Sequence, residues 1–188
     1  MDKEYKRVRD SALVISELML PAHANFNGKI HGGYILSLMD QIAFAVASRH
    51  SGTYCVTASI DTVDFLSPIE IGELVTMKAS VNYVGTSSMV VGIRVDSENI
   101  QTGAKKHCNS SYFTMVAKSK DNKNVPVPGL ILSNNVEVRR FVRGLTRREM
   151  KSLYNEEFST VDFSSPELRQ RLNDYRVKVE LSETDPNY

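Results

Sequence analysis

His23-Ala24-Asn25-Phe26-Asn27-Gly28-Lys29-Ile30-His31-Gly32-Gly33-Tyr34-Ile35-Leu36-Ser37-Leu38-Met39-Asp40 opens as a polar loop with three glycines and runs without a break into an apolar stretch that continues to Ala47. That pattern is a loop feeding a buried helix. Gly32 and Gly33 stand at the junction, where a helix start has backbone N–H groups without intrahelical partners and the positive end of its dipole. Without side chains there, a ligand oxygen can come close to those groups.

At about 100° per residue from Ile35, Leu38, Met39, Ile42, Ala45 and Val46 share one face. Asp40 falls roughly opposite, amid Gly33, Leu36, Ala43 and Ala47, and off the polar strip of Ser37, Gln41 and Ser48. A carboxylate among small apolar residues of a buried helix costs several kcal/mol of desolvation unless something compensates. Asp40 is therefore a candidate site residue; the plainer alternative is a hydrogen bond to a neighbouring loop.

Downstream, Arg49 and His50 complement the negative end of the helix and Gly52 suits its C-terminal cap, so the pattern predicts a helix over 32–50. Upstream, Ser11 to Leu20 alternates as a strand that Pro21 ends, and the charged residues 1–10 are expected to fray. Beyond the helix come four runs rich in Val, Ile, Thr and aromatics: Tyr54–Phe65, Leu74–Tyr83, Met89–Val95 and Lys106–Lys118. Their connections are too short for helical crossovers, so neighbours should pair antiparallel as a meander against the one long helix, an α+β architecture.

Pro126, Pro128 and Gly129 then read as a linker. Thr146-Arg147-Arg148-Glu149 has the capping-box pattern, and Ser165-Pro166-Glu167 joins a good N-cap to proline at the first helical position. Short helices are expected near 146–156 and 165–175, docked on the main domain or on a partner subunit because each is too brief to stand alone. The domain boundaries follow: 1–128 for the main domain and 129–188 for a partly helical extension.

The 188 residues suffice for one sizeable core. With 23 Lys+Arg against 22 Asp+Glu, the net charge of +1 gives no global reason to expect nucleic acid. A local exception is Arg139, Arg140, Arg143, Arg147, Arg148 and Lys151 against Glu137 and Glu149, read as a solvated face, a subunit contact or a phosphate site. Cys55 and Cys108 sit in apolar strand runs and not at metal-ligand spacing, which suits buried reduced thiols in a cytoplasmic protein with no metal. The longest apolar stretch, from Ile35 to Ala47, is interrupted by Ser37, Asp40 and Gln41, so no membrane span is expected.

The order of these pieces resembles the hotdog-fold acyl-CoA thioesterases of the cytosolic acyl-CoA hydrolase branch. The matching residues are Pro21, His23-Ala24-Asn25, Gly28, Gly32-Gly33, Leu38-Met39-Asp40 and Ala43. They continue with Val56-Thr57-Ala58, Asp64-Phe65, Pro68, Gly72, Gly85-Thr86-Ser87-Ser88-Met89 and Phe113-Thr114-Met115-Val116-Ala117, across about residues 12–128.

The resemblance implies a central helix wrapped by a five-stranded antiparallel sheet. It implies a homodimer as the minimal active unit, commonly a hexamer built as a trimer of dimers, and hydrolysis of acyl-CoA to a free acid and CoA. No cofactor is expected beyond the CoA of the substrate. Asn25 and Asp40 fall on the family's catalytic positions, from opposite subunits; the N–H groups of Gly33 and Tyr34 at the helix start could stabilise the oxyanion of such a reaction, with help from the helix dipole. His31, Gly32, Tyr34, Thr57 and the loop Gly85-Thr86-Ser87-Ser88 take substrate-contacting positions. Asp40 reads as general base for the attacking water, or else as a nucleophile through an anhydride. Two other readings of the same fold are a non-catalytic acyl-CoA sensor and a hydroxyacyl-thioester dehydratase, for which His31 would be the base.

Overall fold

Residues 4–179 are described by the computed structural model of the chain. Where fraying was expected, Tyr5–Arg7 forms strand β1 and Val8–Ser11 a helical turn, α1. β1 is held by parallel pairing with Gly129–Ile131, a partner too distant in sequence to be foreseen. Strand β2 (Leu13–Leu18) is shorter than the alternation suggested, and a single 3-10 turn at Pro21–His23 leads into the glycine-rich loop.

Helix α2 (Gly32–Ser51) takes up the apolar run and ends on Gly52, whose left-handed φ of 73° no branched side chain adopts easily. It buries Ile35, Leu38, Met39, Ile42, Ala43, Val46 and Ala47 against the sheet. Each large side chain so buried contributes about 1.5–3 kcal/mol, and that packing, not propensity, fixes the helix in place.

The sheet is completed by β3 (Tyr54–Ile60), β4 (Glu73–Val84), β5 (Ser88–Asn99) and β6 (Lys105–Lys118). All its pairings are antiparallel and the order is β2-β4-β5-β6-β3. The meander holds for β4, β5 and β6 alone. β3 crosses to the far edge beside β6 instead of pairing with β4, because residues 61–72 form a long connection around the start of α2. Met77, Val81, Met89, Val91, Phe113 and Met115 face α2 to complete the core.

The linker residues 129–131 are strand β7, after which the expected short helix is one of 25 residues, α3 (Asn135–Ser159). The missed signal lies upstream of Thr146: Asn134 Oδ1 accepts the N–H groups of Val136 and Glu137, while Glu137 reaches back to the Ser133 N–H. Helix α4 (Pro166–Leu172) starts as read, with Ser165 capping the Leu168 N–H. Two compact units divide after Arg147, inside α3; the second holds the end of α3, α4 and a ring cluster of Tyr154, Phe158 and Phe163. No helix among the described residues is long and apolar enough to cross a membrane.

His50 closes the buried end of α2, 1% exposed, with Nε2 against the Pro128 carbonyl at 2.9 Å and Nδ1 without a partner. Burial pushes its pKa below the ordinary value, outweighing the Pro128 bond. Protonation is therefore easier in the unfolded chain. The stability this neutral ring contributes is complete above about pH 6.5 and is lost as pH falls through the depressed value. Urea unfolding at pH 7 and pH 5 should show this loss, and a His50→Asn protein should show a smaller pH difference than the parent.

Candidate active site

The loop that carries Asn25 is built by Asn25 itself. Its Oδ1 accepts the N–H groups of Asn27 and Lys29 at 2.9 and 3.2 Å, and its carbonyl accepts from Gly28 at 3.0 Å. Gly28 turns the chain with φ of 73°. Lys29 anchors the loop through Nζ contacts of 2.6 and 2.7 Å with the Glu70 carboxylate, beside an Ile30 N–H bond to the Ile69 carbonyl. The Asn25 side chain thus spends its oxygen internally and presents its NH2 group from an exposed loop.

At the start of α2, His31 is the N-cap. Its Nδ1 accepts the Gly33 N–H at 2.9 Å, and its carbonyl accepts from Tyr34 at 3.0 Å. A Cβ at Gly33 would lie 3.0 Å from His31 Nδ1, and one at Gly32 would lie 3.2 Å from the Phe65 ring. The two glycines therefore make room for the chain's own rings, which occupy the ground expected to be open to a ligand. Tyr34 stacks on His23 with centroids 3.9 Å apart, and its hydroxyl donates to Glu17, which raises the phenol pKa.

Asp40 lies two turns further along. It is half-buried, not sealed in the core as the helical pattern suggested, because Thr57 of the edge strand leaves one side of it open. Thr57 Oγ1 donates to Asp40 Oδ1 at 2.5 Å, the compensation that a carboxylate in this position requires. The β3–β6 register shifts between Thr57 and Ser59, a bulge of the kind that re-aims side chains next to sites. Asp40 and Thr57 line a cleft of about 490 Å³ with Phe44, Tyr54 and Val56. The cleft is apolar around one charged group and opens past the unpaired edge of β3.

Thr57, Met115 and Met89 form one row across β3, β6 and β5. The loop Gly85-Thr86-Ser87-Ser88 caps the β4–β5 hairpin one residue past that row, two strands and so about 10 Å away. Its Ser87 and Thr86 carbonyls are bound by Ala117 and Val127, and Gly85 does not use a positive φ. No hydrogen bond or ion pair among the described residues joins Asn25 to Asp40 within one chain. Nor does any cluster of three or more His, Cys, Asp or Glu there have metal-holding geometry.

Protein VdlD of Helicobacter pylori is 44% identical over 140 residues, 74% of this chain and 80% of the relative. An uncharacterized acyl-CoA thioester hydrolase of Bacillus subtilis, YkhA, is 36% identical over 135 residues, 72% of this chain and 78% of the relative. The sequence profile of the thioesterase superfamily matches residues 27–104. The chain belongs to the thioesterase superfamily. Its helix and five-stranded sheet are the hotdog fold of that superfamily. A hexameric acyl-CoA thioesterase superposes with a TM-score of 0.78 at 32% identity over 85% of this chain and 99% of that one.

The acyl-CoA hydrolase of Staphylococcus aureus, solved with butyryl-CoA and CoA, gives a TM-score of 0.76 at 28% identity over 90% and 99% of the two chains. Alanine variants of that thioesterase at one asparagine, one aspartate and one threonine have also been solved. The intervals between those three positions, 15 and 17 residues, are the intervals from Asn25 to Asp40 and from Asp40 to Thr57 here.

Proposed function

We propose that the protein hydrolyses acyl-CoA thioesters to a free carboxylic acid and CoA, in a homo-oligomer whose sites are each built from two copies. The Thr57–Asp40 contact in an open apolar cleft carries this reading: a half-buried, oriented carboxylate with room beside it for a water and an acyl chain. The relatives' names support the substrate class, as do the shared intervals among Asn25, Asp40 and Thr57.

Gly33 and Asp40 are separated by about 10 Å along the axis at 1.5 Å per residue. A thioester carbonyl whose oxygen sits at Gly33 and whose water sits at Asp40 of the same helix is therefore out of reach. A second copy, adding its edge beside β3 where Tyr54 and Ile60 are exposed, brings its own Asn25 and helix start to face Asp40. Such a dimer is the minimal active unit, and the hexameric neighbour favours a trimer of dimers.

In this site water attacks the thioester carbonyl carbon while Asp40 takes its proton as general base. The Asn25 NH2 group holds the water or the carbonyl oxygen. The Gly33 N–H, now bound by His31, serves the developing oxyanion once the His31 ring rotates away, exchanging a neutral hydrogen bond for a charge-assisted one. Collapse breaks the C–S bond, and the thiolate of CoA recovers the proton from Asp40. His31 pairs with no carboxylate among the described residues, and a dehydratase would work with a histidine and a carboxylate together, which disfavours that reading. The two buried free thiols suit a reducing compartment, the cytoplasm.

Release of free CoA from acyl-CoAs of two to eighteen carbons should show a preferred chain length; a panel with no release at any length would remove the proposal. Thr57→Val keeps the shape and removes the donor to Asp40. A hydrogen bond to a charged group is worth about 1.5–3 kcal/mol, so kcat/KM should fall about 10- to 100-fold with assembly intact. An unchanged kcat/KM would show that the contact does not orient the base.

A further inference from the structure

Phe26 is the most exposed large apolar side chain among the described residues, at 109% of its reference area, and it stands next to Asn25 in the glycine-rich loop. The Asn25 carbonyl accepts the Gly28 N–H at 3.0 Å, which puts Phe26 at the first central position of a tight turn. Asn25 Oδ1 braces that turn through the Asn27 and Lys29 N–H groups, and the Lys29–Glu70 ion pair moors it. A single exposed apolar residue needs no explanation by itself. This one is singled out by what its neighbour has to reach.

The cleft beside Asp40 has a blocked end and an open side. Along α2 it runs from Asp40 to Phe44, four residues and so about 6 Å at 1.5 Å per residue. There the Phe44 ring meets the Tyr54 ring, with centroids 5.7 Å apart and planes tilted by 60°. An acyl chain laid beside Asp40 therefore meets two aromatic rings after one helical turn. Its way onward is sideways, past Val56 and the free edge of β3, where Phe44 and Tyr54 are themselves 40% and 61% exposed.

A site that joins Asn25 of one copy to Asp40 of another supplies the missing cover. Consecutive Cα atoms are about 3.8 Å apart, so an Asn25 that reaches the attacked carbonyl carries Phe26 of its own copy to the same mouth. The phenyl side chain spans the remaining distance to Phe44, one turn from Asp40. Rings packed on rings there take apolar area of both copies out of water, in the tilted arrangements that aromatic groups favour.

We propose that Phe26 of one copy closes the open side of the acyl cleft in the other, seated against Phe44 and Tyr54, and so restricts the enzyme to short acyl chains. Phe26 is then a specificity-determining residue supplied in trans, and the blocked end and the covered side together set the length of chain that fits. This inference rests on the reading of the protein as a thioesterase whose sites are each shared by two copies, and adds to it a substrate class and the residue that selects it.

The ratio of kcat/KM for dodecanoyl-CoA to that for butanoyl-CoA, measured on the full chain, tests it. The parent should favour butanoyl-CoA. Phe26→Ala should raise the ratio by about tenfold or more, the scale on which a hydrophobic wall discriminates between chains, and the larger ring of Phe26→Trp should lower it. Mixed dimers locate the effect. When Asp40→Ala and Asn25→Asp copies pair, the one complete site takes Asn25 from the first and Asp40 from the second. Phe26→Ala added to the first copy should raise the ratio as before, and added to the second should leave it unchanged. A parent that favours dodecanoyl-CoA, no change of ratio in the Phe26→Ala protein, or an equal change from either copy overturns the proposal while thioester hydrolysis stands. Mixed dimers without activity beside an active parent remove the shared site and the proposal together. A parent that releases CoA from neither substrate, nor from any other acyl-CoA, removes the thioester reading itself.

Discussion

Asp40→Asn is expected to lower kcat for acyl-CoA hydrolysis by about 10²- to 10⁴-fold, the range general acid–base catalysis supplies. Asparagine keeps the shape of the side chain and an oxygen to accept from Thr57, so the Thr57–Asp40 geometry survives while the proton acceptor is gone. Removing a half-buried charge also relieves desolvation, so the melting temperature should hold or rise, the usual trade between a site and stability. A drop in both turnover and melting temperature would point to a structural carboxylate. Turnover within about threefold of the parent would dismiss Asp40 as the base. Single-turnover hydrolysis in ¹⁸O water separates the two chemistries: label appearing in the Asp40 carboxyl identifies an anhydride, label confined to the product acid a general base.

The sequence conveyed α2 well because its signals are local: an apolar period, a cationic last turn and Gly52. Asp40 was visible for the same reason, as a charge that the period could not accommodate. The capping role of His31 was not, since histidine is no habitual N-cap and its ring competes with Gly33 for the space a ligand was expected to use. The edge position of β3 and the pairing of β1 with β7 are non-local and leave no mark in either segment. The bulge at Asn82 is the clearest loss: an even alternation through Ser80, Val81, Asn82 and Tyr83 puts Tyr83 in the core, whereas one extra residue turns it outward to hold α3. The α3 start at Asn134 was readable from Asn134 and Glu137, but the prolines before it drew the boundary downstream.

Co-expression of Asn25→Ala with Asp40→Ala, each nearly inactive alone, is expected to restore about a quarter of the parent's activity. If each site takes Asn25 from one copy and Asp40 from the other, a mixed dimer contains one site with both residues and one with neither. Random pairing in a two-fold dimer makes half of the dimers mixed, and half the sites in those are intact. The expectation rests on the shared-site proposal, in which a single helix does not bring its own start and its own Asp40 to one carbonyl. Asn25→Ala also unties the Asn27 and Lys29 N–H groups, so Asn25→Asp, which keeps that oxygen and puts a charged carboxylate oxygen in place of the NH2 donor, should be mixed with Asp40→Ala in parallel. Two affinity tags and a tandem purification isolate the mixed species, whose activity per dimer should approach half that of the parent. Mixed dimers as inactive as either variant would place Asn25 and Asp40 in separate roles and end the shared-site account, while leaving the single-variant losses to be explained within one chain.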